Sequence, residues 1–433
     1  MFLKKDKPVI RKRNDHCVSR SNIDPDAIKV LYRLVNNNFT SYLVGGSVRD
    51  LLLGRTPKDF DISTDAQPGQ IRKIFRNCFL IGRRFRLAHI VFGRKVIETS
   101  TFRAQPKAVK GDDGLYQSED NTFGTPEEDA KRRDLTVNGL FYDIKNFNII
   151  DYVGGLKDLE SKIIRSIGDP NVRFQEDPVR MMRAIRFAAK LDFKIERSCR
   201  KAIKEHHSDI LNASVPRVCD EVYRLFTVNA SESAFKMLWE YGMLADLIPQ
   251  VDEYINRSGK QRSDLWRYLA ALDSMPENGS FSNGIRTATL FYPLFLEDCA
   301  KEQSKSSHGR INRMNIARRL LRHLTSSLHI PKAVFYSAVA AIDIVPRFDN
   351  VQSDSRANRF VRNSKFEEAF IFKQIVAAVD GKGADLLAQW SALYEKAVKS
   401  GETVSSSDLA EASTRRKHRH KGRGRRKQTK PND

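Results

Sequence analysis

From Asp24 to about residue 102 the chain switches repeatedly between two spacings of apolar residues. Ile28, Leu31, Leu34 and Val35 recur at helical intervals behind Asp24-Pro25, and the run stops at Asn36-Asn37-Asn38. Tyr42-Leu43-Val44 is a short strand-like run that Gly45-Gly46 ends, and Ser47 to Leu53 returns to helical spacing. Ile71 to Phe75 reads as a helix face, whereas Ile90 to Phe92 and Val96 to Thr101 read as strands. Residues Ala104 to Thr125 are rich in Gly, Asp, Gln and Lys without a period, which predicts a mobile loop. Thr125-Pro126 opens another helix, Phe141 to Val153 reads as strands, and Gly154-Gly155 as a hinge.

Beyond residue 175 strand signals nearly vanish. Helical stretches are predicted at Pro178 to Lys190, Ala234 to Leu247, Leu265 to Leu272, Ile311 to Leu324 and Phe366 to Ala378, with breaks at the Ser/Asn-rich 276 to 284 and the Lys/Ser-rich 301 to 308. The pattern predicts an α+β chain: a mixed α/β N-terminal part and an all-α remainder. It ends in a basic tail whose composition cannot bury a core and is expected to be disordered.

Charge narrows the partner. Among 433 residues, 75 Lys and Arg face 53 Asp and Glu, a formal +22 that points to a polyanion. Residues 411 to 433 carry a net +8 of this and leave +14 on the rest. The apolar runs are too short to span a membrane, and Met1-Phe2-Leu3-Lys4-Lys5 leads into charge rather than a signal-peptide core. The expectation is a cytoplasmic chain with no membrane partner. Cys17, Cys78, Cys199, Cys219 and Cys299 lack Cys-x-x-Cys or Cys/His spacing, so reduced thiols are expected in place of zinc or disulfides.

The chemistry is concentrated in Gly45-Gly46-Ser47-Val48-Arg49-Asp50, Leu51-Leu52-Leu53-Gly54 and Lys58-Asp59-Phe60-Asp61-Ile62. A paired-glycine turn feeding a helix offers backbone amides to phosphates. If Asp59 to Ile62 is a strand, Asp59 and Asp61 share one face, and their repulsion invites a divalent cation bound together with substrate phosphates. Each half alone also has a bland reading, a common α/β turn or a solvated strand face.

Their order resembles the nucleotidyltransferase superfamily of bacterial poly(A) polymerases and tRNA CCA-adding enzymes. These carry a GG-x-VRD-x-LLG segment followed by DxD. The resemblance implies a polymerase-β-like nucleotidyltransferase palm and Mg²⁺ or Mn²⁺ on Asp59 and Asp61. It also implies ATP as substrate and phosphoryl transfer assisted by two metals. Asp134, in Arg132-Arg133-Asp134-Leu135-Thr136-Val137-Asn138, matches the family's RRD-x-T-x-N element and is the leading third carboxylate, with Arg133 and Asn138 serving the nucleotide. Glu98 is ranked below it, as a residue that an alternating strand would present on the carboxylate side. Gly45, Gly46, Ser47 and Arg49 are the candidate phosphate turn. Ser47 stands where related sequences often have a third Gly.

Glu176-Asp177-Pro178-Val179-Arg180 matches the EDxxR segment, in which side chains read the incoming base. Asp177 offers acceptors and Arg180 a donor fork one turn away; an N-terminal capping pair is the plain alternative. The segment Leu80 to Phe92 resembles the signature that separates poly(A) polymerases from CCA-adding enzymes. It places Arg83, Arg84 and Arg86 as RNA contacts, while His89 alone reads as structural. The expected organisation is a basic flexible arm (1–20), a catalytic head (21–153), a helical neck that holds the base and RNA (154–250), a helical RNA-binding body (251–405) and the tail (406–433).

The function this predicts is template-independent addition of AMP from ATP to the 3′ ends of mRNA and other transcripts, promoting their turnover, with RNA-decay helper proteins as candidate partners. CCA addition to tRNA is the alternative within the family. A catalytically inactive basic RNA-binding protein is the alternative outside it, disfavoured by retention of all the acidic elements.

In the tail, Arg415, Arg416, Lys417, Arg419, Arg423, Arg425 and Arg426 should hold RNA phosphates without reading sequence. Truncation after Ser407 is expected to weaken RNA binding at low salt and to flatten the log–log salt dependence by roughly 0.7 to 0.9 units for each phosphate that the tail neutralises. Identical slopes in RNA titrations of full-length and truncated protein would leave the tail a mere solubiliser.

Overall fold

The computed structural model describes residues 7–82, 87–104, 123–226, 229–276, 281–305, 311–350 and 354–400, and the backbone of 108–110 and 116–118. Two compact units meet in sequence at Asp209 and Ile210.

The first unit is built on a sheet of eight strands among the described residues, ordered β1-β10-β9-β2-β3-β6-β5-β4. The strands are β1 (Val9–Arg11), β2 (Ser41–Val44), β3 (Asp61–Thr64), β4 (Cys78–Ile81), β5 (Leu87–Phe92), β6 (Lys95–Thr101), β9 (Leu140–Asp143) and β10 (Asn148–Asp151); β7 (Ala108–Lys110) and β8 (Tyr116–Ser118) form a separate hairpin. Its pairs are antiparallel except β3 with β6, which run parallel with Ile62 opposite Thr99. This single parallel pair makes the sheet mixed.

Helices α1 (Pro25–Asn36), α2 (Gly46–Leu52), α3 (Pro68–Ile74) and α4 (Pro126–Lys131) are closed by their local sequence. The Asp24 side chain accepts from the Asp26 amide at 2.8 Å, and Thr125 with Glu128 forms a reciprocal capping box ahead of Pro126. Helices α1 and α3 pack on β3 to β6, where Ile62, Ala88, Ile90 and Ile97 are buried. On the opposite face, Val44, Phe102, Ala130, Phe141 and Ile150 form a second cluster that also takes in Tyr42.

Two expectations are corrected here. The described part of the N-terminal arm is structured: β1 completes the edge of β10, which would otherwise present a row of unpaired backbone groups, and the His16 ring bonds the Phe147 carbonyl at 2.8 Å. The boundary expected at residues 153 and 154 falls inside the first unit. There α5 (Gly155–Glu160), α6 (Pro170–Glu176), α7 (Val179–Leu191) and α8 (Arg197–His206) continue the same compact body.

The Gly154-Gly155 joint is tightly held rather than loose. The buried Asp151 carboxylate accepts from the amides of Val153, Gly154, Gly155 and Leu156 at 2.9 to 3.1 Å. A Cβ on Gly155 would stand 2.2 Å from the Thr136 carbonyl oxygen, so only glycine fits.

The second unit is all-helical in its described residues. Its helix Asn283–Lys305 is buried on every side from Gly284 to Phe295 and passes close to Ser337 of the helix Lys332–Ile344. Neither helix was predicted; the first carries an apolar run buried all round, which has no 3.6-residue period. Trp390 closes an aromatic cluster with Phe348, Phe366 and Phe370 in the same unit. All five cysteines are free, and four are buried. No described helix is long and apolar enough to cross a membrane.

Because Asp151 satisfies four orphan amides at the start of α5, Asp151→Ala is expected to destabilise the first unit by roughly 2–4 kcal/mol. Urea unfolding checks this, and an unchanged midpoint would show that water replaces the carboxylate.

Candidate active site

Gly45 leaves β2 with φ +74°, a left-handed conformation that favours glycine, and its amide donates to the Leu140 carbonyl at 3.0 Å. A Cβ there would also meet Arg133 Nη1 at 3.0 Å, so the absent side chain lets that guanidinium approach the turn. Ser47 is buried and its hydroxyl donates to the Val44 carbonyl at 3.0 Å, which holds the turn shut. Arg49 points inward. Its Nε donates to Asp50 at 2.8 Å and its Nη1 to Asn138 Oδ1 at 2.5 Å, and its guanidinium lies 4.9 Å from the centre of the Phe187 ring. These bonds fasten the turn to α7 and leave Arg49 buried.

Strand β3 begins at Asp61, opposite Val44, and not at Asp59 as expected. At Gly45 the partner strand bends into α2, so residues before Asp61 lose their β2 partner. Asp59 is exposed and precedes the ladder by two residues. Asp61 gains a different neighbour. The parallel register Ile62 to Thr99 sets Asp61 beside Glu98, and both are exposed on the same face. Glu98 Oε1 in turn lies 3.4 Å from His89 Nε2 across the β5–β6 pair.

The field at Asp61 is conflicted. Partial burial, then Glu98 and Asp59, push its pKa up to about 6, while Arg133 pulls the other way. A divalent cation would relieve this repulsion, so the donor set fits one. Among the described residues no three His, Cys, Asp or Glu side chains form a complete metal-ligand cluster.

The Arg132-Arg133-Asp134 turn is held from beneath. Asp129 on α4 is fully buried and binds Arg132 at 2.6 Å and Arg133 at 2.9 Å, and those guanidinium charges hold its carboxyl below the usual range despite its burial. Arg173 of α6 donates to the carbonyls of Arg132 and Arg133 at 2.8 and 2.9 Å. Arg133 Nε is buried without a hydrogen-bond partner, and the guanidinium lies 5.5 Å from the Phe141 ring centre.

Asp134 faces away from this cluster toward the neck. It accepts from Arg183 Nε at 2.6 Å, from the Leu135 amide at 2.9 Å and from Asn138, and these partners depress its pKa against the cost of burial. Asp129, Arg173 and Arg183 were not singled out in the sequence. Asp129 was legible, three and four residues ahead of two arginines that follow the end of its helix.

At the EDxxR segment the expected geometry differs. Asp177 has an extended φ of −149° between α6 and Pro178, off the helix that carries Arg180. Arg180 Nη1 donates to Glu176 and to the Arg173 carbonyl, both at 3.0 Å, while Asp177 lies 3.9 Å from Arg180 Nε. Glu176 is therefore the nearer acidic partner. The predicted RNA contacts Arg83, Arg84 and Arg86, and the tail residues from Arg415 to Arg426, lie outside the described residues.

The raised pKa of Asp61 has a sign. Unfolded, the group ionises near 3.8, and folded near 6, so the folded state alone holds a proton between those values. Stability is greatest below this window and falls as pH rises through it. Asp61→Asn should therefore raise the melting temperature of metal-free protein at pH 7 and not at pH 4. Superimposable melting curves across that range would remove the carboxylate conflict.

Comparison with known proteins points to the family that the sequence motifs resemble. Residues 41–165 match a family model described as the poly A polymerase head domain, and residues 192–255 one described as "Probable RNA and SrmB- binding site of polymerase A". The chain is 37% identical over 399 residues to poly(A) polymerase I of Salmonella typhi, covering 88% of this chain and 85% of that one. A CCA-adding enzyme of Lactobacillus helveticus is 34% identical over 260 residues, 58% of this chain and 64% of that one. Among solved structures, the Bacillus stearothermophilus CCA-adding enzyme in complex with CTP superposes with a TM-score of 0.64 at 26% identity, covering 90% of this chain and 88% of that one. On this similarity the chain belongs to the poly(A) polymerase family of nucleotidyltransferases and is a polynucleotide adenylyltransferase.

Proposed function

We propose that the enzyme adds AMP from ATP to RNA 3′ ends without a template. The observation that carries the reading is the convergence of Asp61 and Glu98 on adjacent parallel strands beside the Gly45 turn, with Arg133 against that turn. The similarity to poly(A) polymerase I over most of the chain supports ATP and RNA as substrates.

In the reaction the RNA 3′-hydroxyl oxygen attacks the α-phosphorus of ATP, the bond to the β-phosphate oxygen breaks, and pyrophosphate leaves with the electron pair. Mg²⁺ or Mn²⁺ held by Asp59 and Asp61 would favour ionisation of the hydroxyl and offset charge on the leaving pyrophosphate. Glu98, beside Asp61, is better placed than Asp134 to act as the third carboxylate, since Asp134 is engaged by Arg183. Arg133, with one buried donor unpartnered, supplies positive charge to the triphosphate. Arg49, Asp50 and Asn138 hold the turn from within, Gly45, Gly46 and Ser47 shape it, and Asp177 and Arg180 with Glu176 read the base.

The reading extends to mRNA and other transcripts, whose tails would promote their turnover in the cytoplasm. The match over residues 192–255 supports RNA binding there and suits docking of a helper protein of RNA decay. Catalysis is assigned to the head and base reading to the start of the neck, with further RNA contact from the helical body and tail.

CCA addition is the second reading, favoured by the similarity to CCA-adding enzymes. Each NTP offered with generic RNA and with tRNA lacking its CCA end separates the two. The expected result is ATP incorporation on generic RNA, abolished by EDTA, with Arg180→Ala narrowing the preference for ATP over CTP roughly tenfold or more. CTP incorporation confined to the tRNA acceptor would establish CCA addition instead.

A further inference from the structure

Among the described residues, the half of the sheet beyond Asp61 has one covered face and one open face. Ile62, Ile97, Ala88, Ile90 and Cys78 are buried on the side of α1 and α3. The alternate residues face out, and the registers set them in rows. Asp61 stands beside Glu98, Glu98 opposite His89, and His89 opposite Phe79. In the next row Ser63 is buried, Ser100 and Leu87 are half-buried and Ile81 is exposed, so the open part of that row lies over β5 and β4.

At the far end Phe79 is 63% exposed and Ile81 50%, two large apolar side chains on one edge strand. Isolated exposed apolar residues need no explanation, but an aromatic and a branched aliphatic residue aligned in register with the carboxylates do.

We infer that this open face is a platform for the 3′-terminal stretch of the RNA acceptor, with an unpaired base stacked on Phe79 and its neighbour on Ile81 and Leu87. The inference rests on the reading of RNA 3′ ends as the acceptor. Three inter-strand steps separate Asp61 from Phe79, about 14 Å at about 4.8 Å each. That span holds roughly two to four nucleotides at about 3.4 Å or more apiece. The reacting hydroxyl at the carboxylates thus places preceding bases over β5 and β4.

Single-stranded RNA is the occupant this surface suits. Sheet faces bearing exposed aromatics bind unpaired bases by stacking, without sequence preference, and a chain of net +22 supplies the attraction for the backbone. Among the described residues the row Phe79, His89, Glu98, Asp61 leads from the edge strand into the carboxylate site, as an acceptor path must.

The test compares Phe79→Ala, Phe79→Leu and Phe79→Trp in the full-length enzyme. Steady-state AMP addition is measured on oligo(A) and on tRNA lacking its CCA end. On whichever acceptor the wild type extends, Phe79→Ala is expected to raise KM for RNA roughly 5- to 100-fold, the range that loss of one stacked base produces. kcat and KM for ATP should stay within about twofold. Phe79→Trp should restore KM, whereas Phe79→Leu, which keeps apolar bulk, should not. RNA carrying 5-iodouridine near its 3′ end should photo-cross-link to residue 79 in the wild type.

Unchanged KM for RNA in all three variants, or no cross-link to β4, overturns the platform. So does a concentration-dependent dimer that Phe79→Ala dissolves without altering KM, which would make the patch a contact between copies of this chain. Wild type active only on tRNA with CTP would defeat the polyadenylation reading, yet KM on that acceptor still decides the platform.

Discussion

Asp61 and Glu98 are forced together by a backbone constraint, not by any attraction between their side chains. The β3–β6 pair is parallel, and parallel partners present side chains to the same face, so fixing Ile62 opposite Thr99 also fixes two carboxylates side by side. With Asp59 two residues away, the repulsion and partial burial hold a proton on Asp61 up to about pH 6. The buried side of the same strands, Ile62 and Ile97 against α1 and α3, prevents relief by a register slip. A slip of one residue would turn those apolar side chains to water. The fold thus stores an electrostatic conflict that a cation can relieve, and its position is as rigid as the core beneath it.

Around this acidic point lies a frame of buried or half-buried arginines, each tied to a different element. Arg49 links the Gly45 turn to Asn138, Arg173 grips two successive carbonyls of the Arg132–Arg133 turn, and Arg183 holds Asp134. Buried guanidinium groups are costly unless their donors are matched, and nearly all are matched here. Arg133 and Arg173 each keep a buried, unpartnered Nε, and that of Arg133 lies beside the glycine turn. Its position next to a left-handed glycine explains why the turn and the RRD element must change together. A side chain at position 45 would displace the one arginine whose charge already tempers Asp61.

Local chemistry was the readable part of the sequence. The caps of α1 and α4, the glycine turn, the carboxylates and the division into a mixed sheet followed by helices all depend on neighbours within a few residues. What escaped depends on distant pairing. Glu98 was ranked below Asp134 because nothing local reveals that β6 lies parallel beside β3, and Arg49 was expected to face the nucleotide because its partners Asn138 and Phe187 are far along the chain. Pro178 moved Asp177 off the helix expected to align it with Arg180, leaving Glu176 as the closer acid. The N-terminal strand was hidden for the same reason, since its partner is β10.

With Asp59 and Asp61 proposed to hold the cation, Glu98 rather than Asp134 is the third carboxylate on which its binding is expected to depend. Titration of Mn²⁺ into the protein with a non-hydrolysable ATP analogue, followed by electron paramagnetic resonance, tests it directly in wild type, Glu98→Gln and Asp134→Asn. Glu98→Gln is predicted to weaken Mn²⁺ binding about tenfold or more, while Asp134→Asn changes it little. The opposite order, with Asp134→Asn losing the ion and Glu98→Gln retaining it, would contradict the account.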